Sequence, residues 1–520
     1  MDKCFYNGNF INTSNYSENI EMLCINNGLI QYKGIYNEKL FDNSKERVNL
    51  LGKTLIPGFN DSHMHLLGLG VSLDQVDLSH VRSIDELILE SKKYLKNNSR
   101  SILEGRGWNQ DKFYNLKMPT KHDLNKISIE IPIILRRACG HILVANSKAL
   151  DLITIDLGTV NGRDINFDTG ILKENGQDLL LNKLPVPTKN EMILKLKKAA
   201  IYARAKGITS VQSDDLCVYP KKYTDIIFSA LNAIKDDFPL RVYEQSLFRD
   251  LDNFKKYLKG GYEMTNNDSF LNFGPLKILL DGALGSSTAY MLENYENSNN
   301  RGILMYKANE LYNLVSVADE NKIDVAIHAI GDGAIDLAVK SIANTNNHKM
   351  RHSIIHCQIT NSNLIKRISR ENILTHIQPI FLDNDIHIVE KRIGIKKTKS
   401  TYAYNSMYKS GIKIAFGSDS PVDKINPLLG IHLAVNRTDL NGLPKNGFLP
   451  NEKIDIKKAL RFYTLNGAFA EHKEHKKGSL DIGKYADFTI LDKNILKVKN
   501  EDIKSIKIIE TYVNGKTLAE

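Results

Sequence analysis

Short apolar runs rich in β-branched residues alternate with helix-like patterns from Ile56 onward, which is typical of strand–helix units around a parallel sheet. Most intervals between the runs carry a helical pattern, such as NEMILKLKKAAIYARAKG before the second run. Eight units close into a (β/α)8 barrel more naturally than into an open sheet, so we predict an α/β barrel. The eight runs are LIPGFNDSHMH (55–65), GITSVQ (207–212), LRVYEQ (240–245), GPLKILLDG (274–282), DVAIHAIG (324–331), SIIHCQ (353–358), ILTHIQP (373–379) and KIAFGSD (413–419).

Two stretches depart from a plain barrel. About 140 residues separate the first and second runs, and they carry their own strand-like and helical patterns, which predict an inserted α+β subdomain. Short strands and turns at both termini predict a single composite β-sandwich. The predicted domains are 1–56 and 470–520 for the two parts of the sandwich, 57–469 for the barrel and 70–190 for the insertion.

Composition narrows the class of protein. With 520 residues, 42% hydrophobic and 25% charged, the chain is typical of globular proteins, which excludes disordered and fibrous classes. The net charge of +10 comes from dispersed lysines without interleaved aromatic residues, which indicates solvated surface rather than a nucleic-acid site. The five cysteines are scattered, which favours a reducing compartment over a disulfide framework.

The expected location and partners follow from the same features. No run approaches about 18 consecutive apolar residues, and the start of the chain has no apolar signal core, so we predict neither a membrane span nor secretion. We therefore expect a cytoplasmic protein. Its expected partner is a small-molecule substrate, without nucleic acid or membrane, and a homodimer stays open.

Residue types that bind metals lie at the carboxyl ends of the predicted strands, where barrel enzymes carry their chemistry. His63 and His65 end the first strand on one face, because side chains two apart in a strand point the same way. His328, His356 and Asp419 end the fifth, sixth and eighth strands. One histidine alone is more often a hydrogen-bonded core residue, and Asp419 in GSDSP also suits a turn. The convergence of the whole set nevertheless predicts a metal site with a catalytic Asp419.

Three further residues each have two possible roles. Lys277 shares a strand face with Asp281, so it is either a paired interior lysine or, as we favour, a lysine carbamylated by CO2 that bridges two metals. His141 is either a hydrogen-bond donor to the substrate oxygen or a loop histidine. Trp108 lines the pocket or packs in a core. His376 ends the seventh strand and is a candidate substrate contact.

The motifs PGFNDSHMH, KILLDGALGSSTA, HAIGDGAID, HSIIHCQ and FGSDSPV resemble those of the amidohydrolase superfamily. The most similar branch is amidohydrolase family 3, which includes N-substituted formamide deformylase. GRGWNQDKF and RACGHILVANSKAL resemble the insertion of this branch, and INNGLIQYKG and GSLDIGKYADFTILD resemble its β-sandwich. The resemblance covers essentially the whole chain. It implies a deformed barrel with one or two divalent metals, usually zinc.

The same resemblance implies a role for each matching position. His63 and His65 hold the first metal, His328 and His356 the second, and Lys277 occupies the bridging position. Asp419 is both a ligand and the proton shuttle. One departure is Ile355, which stands where the branch usually has an acidic residue, so the ligands are retained but their surroundings differ.

These observations predict a metal-dependent hydrolase of non-peptide carbon–nitrogen bonds, acting on an N-acyl or N-formyl amine through metal-activated hydroxide. The predicted catalytic groups are Asp419, Lys277 and His141. Imidazole and carboxylate ligands suit zinc, manganese and iron alike. A deaminase or an ester hydrolase on the same scaffold is the alternative. A non-catalytic binding or assembly module is disfavoured because every ligand position is filled.

Overall fold

The predicted barrel strands form one sheet in a computed structural model of the chain, which describes residues 1–98, 101–137, 142–153, 165–173, 175–185, 187–248, 250–345 and 349–519. The strands follow one another in sequence order, and each neighbouring pair is parallel. The predicted (β/α)8 barrel is confirmed. Its strands are Phe59–Met64, Ile208–Ser213, Arg241–Leu247, Leu271–Leu279, Val325–Ala329, Ser353–His356, Leu374–Ile377 and Ile414–Phe416.

The first and last barrel strands meet at their carboxyl ends. The backbone N–H of Asp419 donates to the carbonyl of His63 at 2.8 Å, and the N–H of His65 donates to the carbonyl of Ser420 at 2.8 Å. Gly417 permits this approach, since a Cβ there would lie 2.6 Å from the backbone nitrogen of His63. The two edges of the sheet thus come together where the predicted ligands lie.

Helices connect the strands and bury one apolar face. In Ser362–Arg370, Leu364, Ile365 and Ile368 are buried, and the side chain of Asn361 caps the first turn. Among the described residues, no helix is both long and apolar enough to cross a membrane. The helices along this part of the chain are Leu66–Ser72, Lys189–Arg204, Thr224–Asn232, Leu251–Lys259, Ala308–Glu320, Asp332–Ile342, Ser362–Arg370, Leu382–Asp385, Val389–Thr398, Tyr404–Lys409, Pro427–Asn436, Ile456–Phe462 and Leu465–Ala470.

Strands from both ends of the chain share one sheet. Phe488–Leu491 pairs antiparallel with Thr54–Pro57, with Phe488 opposite Pro57. The full order of this sheet is Asn9–Phe10, Thr54–Pro57, Phe488–Leu491 and Ile508–Tyr512. A second sheet has the order Leu29–Gly34, Met22–Asn26, Lys3–Tyr6 and Glu46–Asn49, and a short helix spans Glu38–Asp42.

The shared core of these terminal sheets gives a stability prediction. Phe488 is fully buried between the rings of Phe5 and Tyr512, each with its centroid 4.9 Å away. Phe488→Ala is expected to lower the free energy of unfolding by about 3–5 kcal/mol through lost burial and a cavity. Urea unfolding measures the change. The control Ile509→Ala, on the neighbouring strand and 46% exposed, should change it by less than about 1 kcal/mol.

Residues 70–191 form a separate compact unit. Trp108 is fully buried in its core, and the indole N–H donates to the carbonyl of Leu135 at 2.9 Å, which is the core-packing interpretation of this residue. His141 lies outside the described residues. The sheet of this unit has the order Ile165–Asn166, Ile171–Lys173, Ile142–Ala145, Ile133–Arg137, Leu103–Trp108 and Val76–Asp77. The helices within it are Ile84–Asn97, Lys121–Asn125, Ser147–Leu150 and Asn175–Leu181.

One cysteine pair departs from the expectation that the scattered cysteines form no disulfide framework. Cys4 and Cys24 face each other in adjacent antiparallel strands and form a disulfide, with their Cα atoms 4.1 Å apart. Spacing along the chain does not show this pairing because it depends on the register between the strands Lys3–Tyr6 and Met22–Asn26. Cys217 and Cys357 carry free thiols.

Candidate metal centre

Three of the predicted ligands converge at the carboxyl end of the barrel. His63, His356 and Asp419 each offer a ligand atom, and these atoms all lie within 4.8 Å of one another. All three residues are buried, with 1%, 2% and 7% of their surfaces exposed. They meet because parallel strands one, six and eight end on the same face of a closed barrel.

The backbone at two of these residues adopts an unusual conformation. His356 has φ 73° and Asp419 has φ 57°, both in the left-handed region that residues with a Cβ seldom occupy. Cys357, next to His356, has φ 48°. Such backbone persists only where the surrounding structure holds it, and it is concentrated at functional sites. The chain therefore turns sharply where it presents these two predicted ligands.

The hydrogen bonds of His63 and His356 define which ring nitrogen carries the proton. Nδ1 of His63 lies 2.7 Å from Oε1 of Gln245, and Nδ1 of His356 lies 2.7 Å from Oε1 of Gln378. An amide oxygen only accepts, so Nδ1 donates in both rings and Nε2 keeps its lone pair. Nε2 of His356 is buried without a hydrogen-bond partner among the described residues, and Nε2 of His63 faces Nζ of Lys277 at 3.1 Å.

His65 repeats this arrangement with a backbone acceptor. Its Nδ1 lies 2.8 Å from the carbonyl oxygen of Asp214, and its Nε2 lies 3.1 Å from Oδ1 of Asp419. Nε2 of His63 is 3.3 Å from the same carboxylate oxygen. The Nε2 atoms of two imidazoles thus lie 3.1 and 3.3 Å from one carboxylate oxygen. A divalent cation satisfies all of these groups at once, so the residues fit a metal.

Burial and neighbouring charges favour the ligand form of His63, His356 and Asp419, whereas the Cys217 and Asp419 side chains beside His65 outweigh burial and hold the pKa of that imidazole well above its usual value. Burial, assisted by the Lys277 ammonium, lowers the pKa of His63 to about 3, and burial also holds the pKa of His356 well below its usual value. Burial raises the pKa of Asp419, but its contacts with the His63 and His65 imidazoles outweigh burial and hold that pKa well below the usual range. Neutral imidazoles and an ionised carboxylate are the forms that bind metals.

Lys277 lies inside this site and contacts Asp214 rather than Asp281. Its Nζ is 3.5 Å from Oδ2 of Asp214, and the residue is 2% exposed. The carboxylate of Asp281 instead accepts backbone N–H groups from Tyr290 and from the turn after the fifth strand. The pairing of Lys277 with Asp281, which we considered from the sequence, is absent among the described contacts.

His328 and His376 lie near the converged ligands. The ring of His328 is 4.4 Å from that of His356 between centroids, but its Nε2 faces the carbonyl oxygen of Gly282 at 3.2 Å. It is not part of the converged group of ligand atoms within the described residues. His376 is 3% exposed, and burial lowers its pKa to about 3. The roles of His328 as a ligand and of His376 as a substrate contact stay predictions.

The sequence reasoning missed several residues at this face. Gln245, Gln378 and Asp214 follow the rule that located the histidines, since each lies near the carboxyl end of a barrel strand. Asp61 shares the strand face of His63, and its Oδ1 accepts the backbone N–H of Ser418 at 2.9 Å. Burial raises the pKa of Asp61 to about 7. Position near a strand end was the signal that would have found the first three, and the two-residue spacing from His63 would have found Asp61.

A family model described as the amidohydrolase family matches residues 46–519. The chain belongs to this family. YtcJ of Bacillus subtilis (strain 168) is 30% identical over 540 aligned positions, which cover 100% of this chain and 99% of that protein. N-substituted formamide deformylase of Arthrobacter pascens is 24% identical, with 90% and 89% covered. An uncharacterized metal-dependent hydrolase from Pyrococcus horikoshii ot3 has a crystal structure that matches with TM-score 0.83 and 28% identity, covering 96% of this chain and 99% of that one.

These findings confirm three predictions made from the sequence. The amidohydrolase resemblance holds across the matched residues 46–519, and the α/β barrel is the fold. This amidohydrolase is a metal-dependent hydrolase that acts on carbon–nitrogen bonds.

Proposed function

We propose that this amidohydrolase cleaves the non-peptide amide bond of an N-acyl or N-formyl amine. The observation that carries the proposal is the convergence of the imidazoles of His63, His65 and His356 around the buried carboxylate of Asp419. The similarity to N-substituted formamide deformylase over 90% of the chain supports an N-formyl or related amide as the substrate class.

His63, His65, His356 and Asp419 would hold the divalent metal, which we propose to be zinc because this donor set suits it. A metal held by these residues would lower the pKa of a water molecule to about 7 and would polarise the amide carbonyl. We propose His328 as a ligand of a second metal, which requires its ring to turn away from Gly282. Elemental analysis of the purified protein should give one or two metals per chain.

Asp419 is the proposed proton carrier. The carboxylate is ionised near neutrality, which is the form that would accept the proton of the attacking water. The same group then returns that proton to the leaving nitrogen, which must be protonated to depart as an amine. His63 and His65 hold Oδ1 by contacts of 3.3 and 3.1 Å, so this carboxylate is already positioned.

We propose that Lys277 is carbamylated in the loaded enzyme. A carbamate at Nζ would repel the carboxylate of Asp214, 3.5 Å away, unless a cation lay between them, so carbamylation and metal binding should be linked. Protein equilibrated with ¹³C-bicarbonate and zinc should show a carbamate carbon resonance that Lys277→Met removes. The exposed-site control Lys235→Met should retain the resonance. An unchanged spectrum in Lys277→Met would place the carbamate elsewhere.

A substrate panel tests the proposed reaction. N-formyl and N-acetyl derivatives of one amine are compared with the matching ester and with an aminated heterocycle, each assayed for its own product. We expect release of the free amine with a kcat/KM at least about tenfold above that for the ester, a difference of about 1.4 kcal/mol. Ammonia release from the heterocycle alone would indicate a deaminase, and turnover of the ester alone would indicate an esterase.

A further inference from the structure

We propose that Gln245 and Gln378 are positioning residues that fix the ring orientation and tautomer of His63 and His356, and that their neutral amides limit the charge of the metal centre. The inference rests on the proposed function of these histidines as ligands. Both glutamines are buried, with 0% and 3% of their surfaces exposed, and each makes a 2.7 Å hydrogen bond to a ligand ring.

The orientation of Gln245 follows from its second contact. Its Nε2 lies 3.3 Å from the carbonyl oxygen of Ser62, an atom that only accepts hydrogen bonds. The amide nitrogen must therefore face Ser62, and the amide oxygen faces Nδ1 of His63. That oxygen requires a proton on Nδ1 and leaves the lone pair on Nε2, which points toward Asp419. Ser62 thus acts through Gln245 on the ligand.

Gln378 has the same two kinds of contact, with His356 as the ring that it orients. Its Nε2 donates to the carbonyl oxygen of His376 at 3.2 Å, and its Oε1 accepts from Nδ1 of His356. Gln378 follows directly after the seventh barrel strand, Leu374–Ile377, whereas Gln245 lies within the third, Arg241–Leu247. Two different strands therefore each place a glutamine amide oxygen as the acceptor for Nδ1–H of a histidine.

The choice of an amide has a consequence for the metal. A carboxylate acceptor on Nδ1 makes an imidazole more basic and adds negative charge, and it tightens binding. The centre already contains the carboxylates of Asp419 and Asp214, both buried. A neutral amide fixes the ring without adding a further negative charge, so a metal held there would remain a stronger electrophile. The hydrogen bonds of the two glutamines should therefore increase the affinity for the metal. The absence of charge on their amides should increase kcat.

Zinc affinity of the purified full-length protein, measured by competition with a chromogenic chelator, separates these roles. Gln378→Met keeps the side-chain length, but its sulfur is only a weak acceptor for the Nδ1–H of His356. We expect this variant to bind zinc about 10–100-fold more weakly. Gln378→Glu restores the acceptor, so its affinity should equal or exceed that of the unmodified chain while kcat falls. The control Gln212→Met removes a buried glutamine that donates to the carbonyl of Gly467 at 3.0 Å and has no hydrogen bond to a histidine among the described residues. Its zinc affinity should change less than about twofold.

Visible absorption of the cobalt-loaded protein provides a second readout. Gln378→Met should shift the cobalt bands because the His356 ring is released, whereas Gln212→Met should leave them unchanged. Equal loss of affinity in both methionine variants, or no rescue by Gln378→Glu, would overturn the proposal. If Gln378→Met does not fold, Gln245→Met decides by the same measurements. Because zinc affinity needs no substrate, absence of amide hydrolysis would reject the proposed function without altering this result.

Discussion

His63→Ala is expected to remove the bound metal and the hydrolytic activity together. The variant deletes a buried proposed ligand, whose Nε2 lies 3.3 Å from Oδ1 of Asp419. Alanine offers no atom that could bind the metal in its place. Loss of an outer hydrogen-bond partner costs about 10–100-fold in metal affinity, and loss of the ligand itself should cost more. Zinc content after gel filtration and kcat/KM for the best amide of the panel measure the two effects.

The exposed His475 supplies the control for this experiment. His475→Ala also removes an imidazole, but from the surface, so zinc content and kcat/KM should match those of the unmodified chain. Treatment of the unmodified chain with a chelator should abolish activity, and added zinc should restore it. The same zinc addition should leave His63→Ala inactive. Full turnover by metal-free protein would contradict the proposed centre.

Strand order and ligand positions were accessible from the sequence for one physical reason. A closed parallel barrel brings all carboxyl strand ends to one face, so the residue type at each end is enough to predict convergence. His63, His356 and Asp419 met this rule, and they converge. The eight apolar runs were short and bounded by polar segments, so their count predicted the barrel without any knowledge of side-chain packing.

Side-chain direction was not accessible in the same way. His328 satisfies the strand-end rule, yet its Nε2 faces the carbonyl of Gly282 because the turn after the fourth strand lies beside it. Gln245 and Gln378 also lie at or near strand ends, but glutamine is a poor zinc ligand, so residue type alone did not indicate a role for them at the site. Their importance arises only when the distance from each amide oxygen to a ring nitrogen is known.

Registers between distant strands were equally hidden. The disulfide of Cys4 with Cys24 depends on two antiparallel strands that align these residues, and the pairing of Phe488 with Pro57 joins the two ends of the chain. The pattern of apolar and turn-forming residues alone predicted that both termini form strands. It did not specify partners, because a shift of one residue in register changes which side chains face each other.

Asp419→Asn is expected to separate proton transfer from metal binding. Asparagine has nearly the same shape and still offers an oxygen ligand, and the imidazoles of His63, His65 and His356 remain, so most of the zinc should stay bound. It cannot accept a proton, so kcat should fall by about 10²–10⁴-fold, the contribution of a positioned acid–base group. Zinc content, kcat and the binding of a substrate analogue are measured on the same preparation, and analogue binding should change little.

Asp332→Asn provides the comparison, since Asp332 is the next carboxylate to consider for proton transfer. Its Oδ1 accepts the backbone N–H of Leu292 at 2.8 Å, which is a structural contact, so its substitution should lower kcat much less than Asp419→Asn does. Asp281 is a poor substitute, because backbone N–H groups of Tyr290, Ile330 and Gly331 occupy its carboxylate. If Asp419→Asn kept near-normal turnover with full zinc, Asp419 would be a structural turn residue. Proton transfer would then belong to Asp332, and its asparagine variant would show the larger loss.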